Sequence, residues 1–510
     1  MGLQTGRKTS LWMATAEAIA NDGRLVQDAN ADVCIVGAGI AGLTTAYLLA
    51  QAGRAVIVVD AGAVGGGMTG RTTAHLAWAI DEHFTELERL HGAGGARLAA
   101  ESHAAAIDRI EQIVTAENID CDFARLDGYL FSPPDGEQHD LEAELEAARR
   151  AGFADAALIE RAPLGDFDTG PCVRFPDQAQ FHPLKYLAGL AAAVRRQGGR
   201  IFTGSAVDKV EGGDRARIET GDGKVVTAGA LVVATNTPIN DRLVMHTKQA
   251  PYTSFVIAAP VPRGSVPQAL YWDTPDPYHY VRIAPGDSAD AAQDMLVVGG
   301  EDHKTGQADD ADARFARLED WARERFPMLG AVAHRWSGQV FEPTDGLAFI
   351  GRNPRDADNV FIITGDSGNG MTHGTLGGML ISDLILGRDN PWTSLYAPSR
   401  KSLRAASTFA KENLNVARQY LDLMTSGEVS TRDDIAPGAG AILRRGLKKV
   451  AVYRDAEGAF SECSAACTHL GCVVQWNSDE KTWDCPCHGS RFDAYVKVIE
   501  GPAHRDLGPV

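Results

Sequence analysis

Short apolar runs separated by glycine-rich turns and amphipathic stretches set the pattern of the first four hundred residues. Asp32-Val-Cys-Ile-Val36 is a continuous run of β-formers and predicts a buried strand. It leads through Gly37–Gly42 into Leu43-Thr-Thr-Ala-Tyr-Leu-Leu-Ala50, which predicts an amphipathic helix. A second apolar strand, Ala55-Val-Ile-Val-Val59, ends at Asp60. Further on, Gln293-Asp-Met-Leu-Val-Val-Gly299 reads as a strand of another sheet. Ser402–Met424 predicts a helix in which Leu403, Phe409, Leu414, Val416, Tyr420 and Leu421 form a partial stripe, a strut docking one domain to another. The polar stretch Thr425–Pro437 marks the domain boundary.

Composition bounds the class. A chain of 510 residues exceeds one core and predicts two or three domains. Its 44% hydrophobic and 23% charged residues suit an ordinary globular protein. The net charge of −18 argues against nucleic acid or an anionic membrane surface as main partner. No apolar run is long enough to span a bilayer, and the N-terminal stretch is interrupted by Thr15, Glu17 and Asn21, a poor signal peptide. These features lead to the expectation of a cytoplasmic protein. Cys34, Cys121 and Cys172 are scattered, whereas Cys463, Cys467, Cys472, Cys485 and Cys487 crowd together near the end among histidines, which points to a metal rather than a secreted disulfide framework.

The first strand–glycine–helix unit carries the complete dinucleotide-binding fingerprint. Gly37 permits the tight turn, Gly39 lets the backbone approach a pyrophosphate, Gly42 allows close helix–strand packing, and Asp60 can accept hydrogen bonds from ribose hydroxyls. The helix N-terminus offers unpaired N–H groups and positive dipole to phosphates. The glycine- and threonine-rich loop after Asp60, through Arg71-Thr72-Thr73, suits a large cofactor lying extended.

Taken with the later segments, this arrangement resembles the D-amino acid oxidase, glycine oxidase and sarcosine oxidase family of FAD enzymes over roughly residues 30–390. Leu231-Val-Val-Ala-Thr235-Asn236 is similar to the strand that returns to the nucleotide, and Val207 stands where the family contacts adenine. Trp336-Ser-Gly338 and Thr344–Gly351 resemble the approach to the last flavin strand, and Phe361–Gly374 the turn carried under the flavin ring. The helix Leu376–Leu386 would then point its N-terminus at the end of the ring where reduction builds negative charge. The resemblance implies FAD contacts at Gly37, Gly39, Ile40, Ala41, Gly42, Asp60, Ala61, Thr72, Thr73, Val207, Ala234, Thr235, Gly365, Gly368, Gly370, Met371 and Thr372. It implies non-covalent attachment, since no cysteine is placed for a covalent link.

Two boxes, Cys467-Thr-His469-Leu-Gly-Cys472 and Cys485-Pro-Cys487-His488-Gly-Ser490, dominate the C-terminus. Cys467 and Cys485 on one iron with His469 and His488 on the other make the ligand set of a Rieske [2Fe–2S] centre, although structural zinc takes the same donors. The region 430–510 resembles the Rieske domains of cytochrome bc-type complexes and of flavoprotein–Rieske fusions. That resemblance implies a Cys472–Cys487 disulfide, a Ser490 hydroxyl bonded to a bridging sulfide, and a proline loop at Gly501-Pro502-Ala503. Phe492 stands where high-potential members carry a tyrosine, so a lowered potential is expected.

The expected fold is therefore α/β plus all-β. An N-terminal arm occupies 1–30. A Rossmann-type FAD-binding domain is assembled from 31–110, 181–245 and 336–395, with an α+β substrate domain from 111–180 and 246–335. A helical linker follows over 396–429, then a small β-sandwich Rieske domain over 430–510. The resemblance implies oxidation of an amino acid or N-methylated amine at FAD, with electrons passing singly through the cluster to an external protein or quinone. Electrons entering at the cluster instead, a pure electron-transfer module, and an oxygen-using oxidase are the alternatives. A carboxylate-bearing substrate needs a cation over the flavin. Arg282 and Arg71 are the candidates, with Tyr280, His75 and His373 as polar partners.

Overall fold

The computed structural model describes residues 8–133, 140–165, 167–240, 244–286 and 292–510. The strand Ala29–Val36 lies at the centre of an eight-stranded sheet, paired in parallel with Val56–Val59 on one side and Val225–Val233 on the other. Arg200–Phe202 and Val360–Thr364 extend the parallel core, and Phe349–Arg352 closes one edge antiparallel. Val33, Cys34, Ile35 and Val36 are all buried, as a parallel strand covered on both faces requires. The helices Ile40–Gln51 and Gly370–Leu386 pack against each other beside this sheet. They approach closely because Gly374 and Gly378 have no side chain: a Cβ at either position would lie 2.7 Å from Ile40 or Thr44.

A second sheet has nine strands. Its long antiparallel strands Gln249–Pro262, His279–Pro285, Gln293–Lys304 and His334–Pro343 are backed by the helix Ala311–Arg325. Phe315, Leu318 and Ala322 of that helix share a core with Phe255, Ile257, Leu296 and Val298. The C-terminal domain consists of a three-stranded sheet, Ala439–Arg445, Lys448–Arg454 and Phe460–Ser464, and a four-stranded sheet starting at Gln475–Asn477. Two antiparallel sheets are the small all-β unit expected of this region. No helix among the described residues is long and apolar enough to cross a membrane.

The N-terminal arm is docked rather than free. Trp12 is buried, its indole N–H donates to the Thr72 carbonyl at 2.6 Å, and Ser10 Oγ donates to the Gly70 carbonyl at 2.6 Å. Lys8 reaches Asp479 of the C-terminal domain. The expected single helix over 402–424 is instead a 3-10 turn, the helix Ala406–Gln419, and a second 3-10 turn. Only part of its apolar stripe docks. Val416 and Tyr420 pack on the C-terminal core and Tyr420 donates to the Leu470 carbonyl at 3.0 Å, whereas Leu403, Leu414 and Leu421 are exposed. A stripe broken by Lys411, Glu412 and Asn415 is too narrow to bury on two neighbours at once. The segment expected to be a boundary is bonded to the C-terminal sheet, since Glu428 N–H donates to the Ile442 carbonyl at 2.7 Å.

His182 ties arm and body together. It caps the helix Pro183–Arg196 by accepting the Lys185 N–H on Nδ1 at 3.2 Å, while Nε2 lies 3.0 Å from Thr15 Oγ1. Burial first, and then Lys185, lower its pKa from 6.5 to about 4. The unfolded chain therefore binds this proton more readily, so the contribution to stability is complete above pH 6.5 and is lost as pH falls toward 4. His182→Asn keeps a capping acceptor but does not titrate. Its melting temperature is expected to fall less than that of the parent between pH 6.5 and 4; equal slopes in the two proteins would refute the assignment.

Candidate functional site: a flavin cavity closed by the cluster domain

One cavity runs from the Gly37–Ala41 turn past Asp60 and the loop 61–73 to the turn Gly365–Gly374. Gly37 has φ +110°, and a Cβ there would meet the Ala234 carbonyl oxygen at 2.3 Å. A Cβ at Gly42 would lie 1.9 Å from the Gly37 carbonyl oxygen, so both glycines are dictated by close backbone approach. Asp60 accepts the Ala38 N–H at 2.6 Å on one oxygen and the Gly62 N–H at 2.7 Å on the other, fixing its carboxylate at the cavity wall. Burial raises its pKa and these two bonds oppose the rise. A narrow backbone-lined channel, a helix N-terminus and a fixed acid after the second strand are what an extended dinucleotide needs.

Of the residues expected to contact FAD, fifteen line this cavity: Gly37, Gly39, Ile40, Ala41, Asp60, Ala61, Thr72, Thr73, Val207, Ala234, Thr235, Gly365, Gly368, Gly370 and Met371. Gly42 and Thr372 do not line it. Gly42 acts from behind as a packing position, and the Thr372 hydroxyl donates to the Asn369 carbonyl at 3.1 Å.

The candidate substrate residues divide. Tyr280, His75 and His373 line the cavity. The Tyr280 hydroxyl lies 2.6 Å from Ser254 Oγ, and the His75 ring stands edge-on to Tyr280 at 5.6 Å. His373 Nδ1 donates to the Asp366 carbonyl at 2.8 Å, and burial lowers its pKa to about 4, which keeps it neutral. The two arginines are engaged by carbonyls and an acid. Arg282 does not line the cavity; its Nη1 donates to the Thr73, Ala74 and Phe181 carbonyls at 3.1, 2.7 and 3.1 Å. Arg71 lines the wall, but its guanidinium donates to the Ser337 and Lys8 carbonyls and to Glu480. Unclaimed backbone carbonyls at a loop crossing compete for a buried guanidinium and win here. Sequence reasoning missed Asp81, Ser254, Trp272, Tyr278 and Asp302, which also line the cavity. Tyr278 sat beside Tyr280 in the same run, whereas the two acids carry no spacing signal.

At the C-terminal boxes, the loops Cys467–Cys472 and Cys485–Ser490 close in parallel fashion. The Cys467 and Cys485 N–H groups donate to the Cys472 and Ser490 carbonyls, each at 2.8 Å, and Gly471 and Gly489, both at φ +78°, donate back to Cys467 and Cys485. Cys472 and Cys487 form a disulfide, and Cys467 and Cys485 are buried outside it. The His469 and His488 rings stand edge-on with centroids 5.0 Å apart, and the buried His488 Nδ1 has no partner. Two thiols and two imidazoles converging with an unused buried nitrogen fit a [2Fe–2S] cluster held by two cysteines and two histidines.

The two sites share a wall. Val498, Ile499, Glu500, Gly501 and His504 of the C-terminal domain line the flavin cavity. Glu500 accepts from Asn236 Nδ2 at 3.2 Å. Gln339, at the cavity, donates to the Gly489 carbonyl beside the cluster ligands at 3.0 Å. His246 lies between the sites, its ring 4.6 Å from His469 and 5.9 Å from His488. From there Thr237, Gln249 and Thr364 lead in hydrogen-bonded succession to the cavity wall.

Two family descriptions match the chain: FAD dependent oxidoreductase over residues 32–384, and Rieske [2Fe-2S] domain over 426–509. The Rieske 2Fe-2S iron-sulfur protein YhfW of Bacillus subtilis is 30% identical over 484 residues, covering 95% of this chain and 94% of that one. The γ-glutamylputrescine oxidoreductase of Escherichia coli is 27% identical over 398 residues, covering 75% of this chain and 90% of that one. The crystal structure of glycine oxidase from Geobacillus kaustophilus superposes with a TM-score of 0.61 at 18% identity, covering 73% of this chain and 99% of that one. With the cavity, the cluster ligands and both matches in agreement, the chain belongs to the DAO family of FAD-dependent oxidoreductases and carries a C-terminal Rieske [2Fe–2S] domain.

Proposed function

We propose that this protein is a dehydrogenase that oxidises an amine or amino acid at FAD and sends the electrons singly through the Rieske cluster to an external protein or quinone. The observation that carries the reading is the shared wall: the cluster domain supplies Val498–Gly501 to the flavin cavity, and His246 and Gln339 bridge from the cluster loops to that cavity. FAD, when bound, would accept a hydride from the C–H bond next to the amine nitrogen, leaving an imine, and a [2Fe–2S] cluster carries one electron at a time. The chain's own residues do the positioning. The 37–42 turn and Asp60 fix the nucleotide end, Gly365–Gly374 shapes the ring end, and the Val498–Gly501 segment covers the cavity on the cluster side. Covalent fusion keeps the two centres at a high effective concentration, so transfer needs no encounter.

Two measurements test this. In an anaerobic panel of amines and amino acids, one substrate is expected to bleach the flavin, followed by the low-temperature electron paramagnetic resonance signal of a reduced Rieske cluster. Bleaching with a persistently oxidised cluster would contradict the route. In the second, Gly39→Val adds a branched side chain whose Cβ alone would lie 3.0 Å from Thr69 Oγ1, and it is expected to yield protein with the cluster spectrum but little flavin. Cys467→Ser is expected to give the converse. Loss of both cofactors in either variant would show that the two sites do not load independently.

A further inference from the structure

The substrate-domain end of the flavin cavity has the character of a cation site. Tyr278 and Tyr280 present neighbouring rings with centroids 5.4 Å apart, and Trp272 and His75 line the same region. Gly299 faces Tyr280 across the sheet, and a Cβ there would lie 2.2 Å from the tyrosine ring, so the glycine makes room for that ring. Two carboxylates accompany the rings. The Asp81 carboxylate accepts the Tyr278 hydroxyl at 3.2 Å, and Asp302 lines the cavity with Ser254 and Tyr280, whose hydroxyls lie 2.6 Å apart. Asp302 Oδ1 is buried with no hydrogen-bond partner.

Arg314, whose charge acts on Asp302 from outside the cavity lining, is held by Asp310 and by the Glu301 and Asp302 carbonyls. Among the described residues lining the cavity, Arg71 is the one arginine or lysine, and its guanidinium is held by two carbonyls and Glu480. Arg282 is held by three carbonyls outside the cavity lining. A carboxylate entering here would meet two acids and no available cation. An ammonium would meet two acids and the negative faces of aromatic rings, the combination that holds alkylammonium groups elsewhere.

We propose that this pocket binds a cationic amine without a carboxylate near its reacting carbon, with Asp302 and Asp81 as its counter-ions and Tyr278 and Tyr280 as its walls. The proposal rests on the reading of this cavity as an amine-oxidising flavin site and names its substrate class. Burial pushes the Asp302 carboxyl up to about 7 and the Asp81 carboxyl to about 6. A bound ammonium supplies the positive charge that reverses those shifts.

The test uses the flavin-loaded protein and two inert probes of similar length, butyltrimethylammonium and hexanoate, titrated at constant ionic strength and followed by the visible flavin band. The ammonium is expected to bind at least about tenfold more tightly than hexanoate, the order of one charged contact. Asp302→Asn is expected to weaken the ammonium by about tenfold while leaving hexanoate no weaker. Should Asp302→Asn fail to load flavin, Tyr280→Leu is expected to weaken the ammonium selectively. Hexanoate binding as tightly as the ammonium, or an ammonium Kd unchanged in a loaded variant, would overturn the proposal. Binding to oxidised flavin involves no electron transfer, so the recognition and the cluster route fail separately.

Discussion

The seating of the Rieske domain on the flavin domain is the constraint on which the rest of this molecule depends, and a buried ion pair lies at its centre. Arg71 and Glu480 pair with both side chains only 1% exposed, and Ser337 Oγ donates to the same Glu480 oxygen at 3.1 Å. Desolvating both charges is costly, so such a pair contributes little net stability, but removing one partner leaves an uncompensated buried charge. Its effect is therefore on geometry: the docked arrangement satisfies the pair and displaced arrangements do not. Lys8–Asp479, Gln307 to the Pro486 carbonyl and the Ser478 N–H to the Asp309 carboxylate surround it with further contacts between the two domains. With that face in place, the strand Val498–Glu500 and Gly501 become cavity wall and the cluster histidines come to rest against His246.

The same seating explains the fate of the arginines. Arg71 is paired with Glu480 in the seating of the two domains and is not free for substrate. Arg282 secures the crossing of the Thr73–Ala74 loop with Phe181, with its guanidinium also 5.1 Å over the Trp12 ring of the docked arm. What remains facing the ring end of the cavity is acidic and aromatic. The electrostatic character of the pocket thus follows from structural demands on the cations around it as much as from the acids within it.

Legibility in the sequence followed locality. The turn Gly37–Gly42 with Asp60 and the two Cys–His boxes could be read because each is a short spacing whose chemistry is fixed by backbone geometry. The strands at Ala29–Val36 and Gln293–Lys304 and the helix Gly370–Leu386 extend the segments expected from apolar runs by a few residues. Asp81 and Asp302 were illegible because single acids on separate elements meet only in three dimensions. The type of Arg282 announces a cation and says nothing of the carbonyls that engage it. The partial stripe of Ser402–Met424 was legible as amphipathic, but which face would be covered depended on a domain contact that no local pattern encodes.

The central claim is that flavin and cluster exchange electrons within one molecule across the shared wall. The most direct test is the concentration dependence of cluster reduction after rapid anaerobic reduction of the flavin. The account predicts a first-order rate that does not change when protein concentration is varied a hundredfold. A rate that rises in proportion to protein concentration would mean that electrons pass between molecules, and would contradict it.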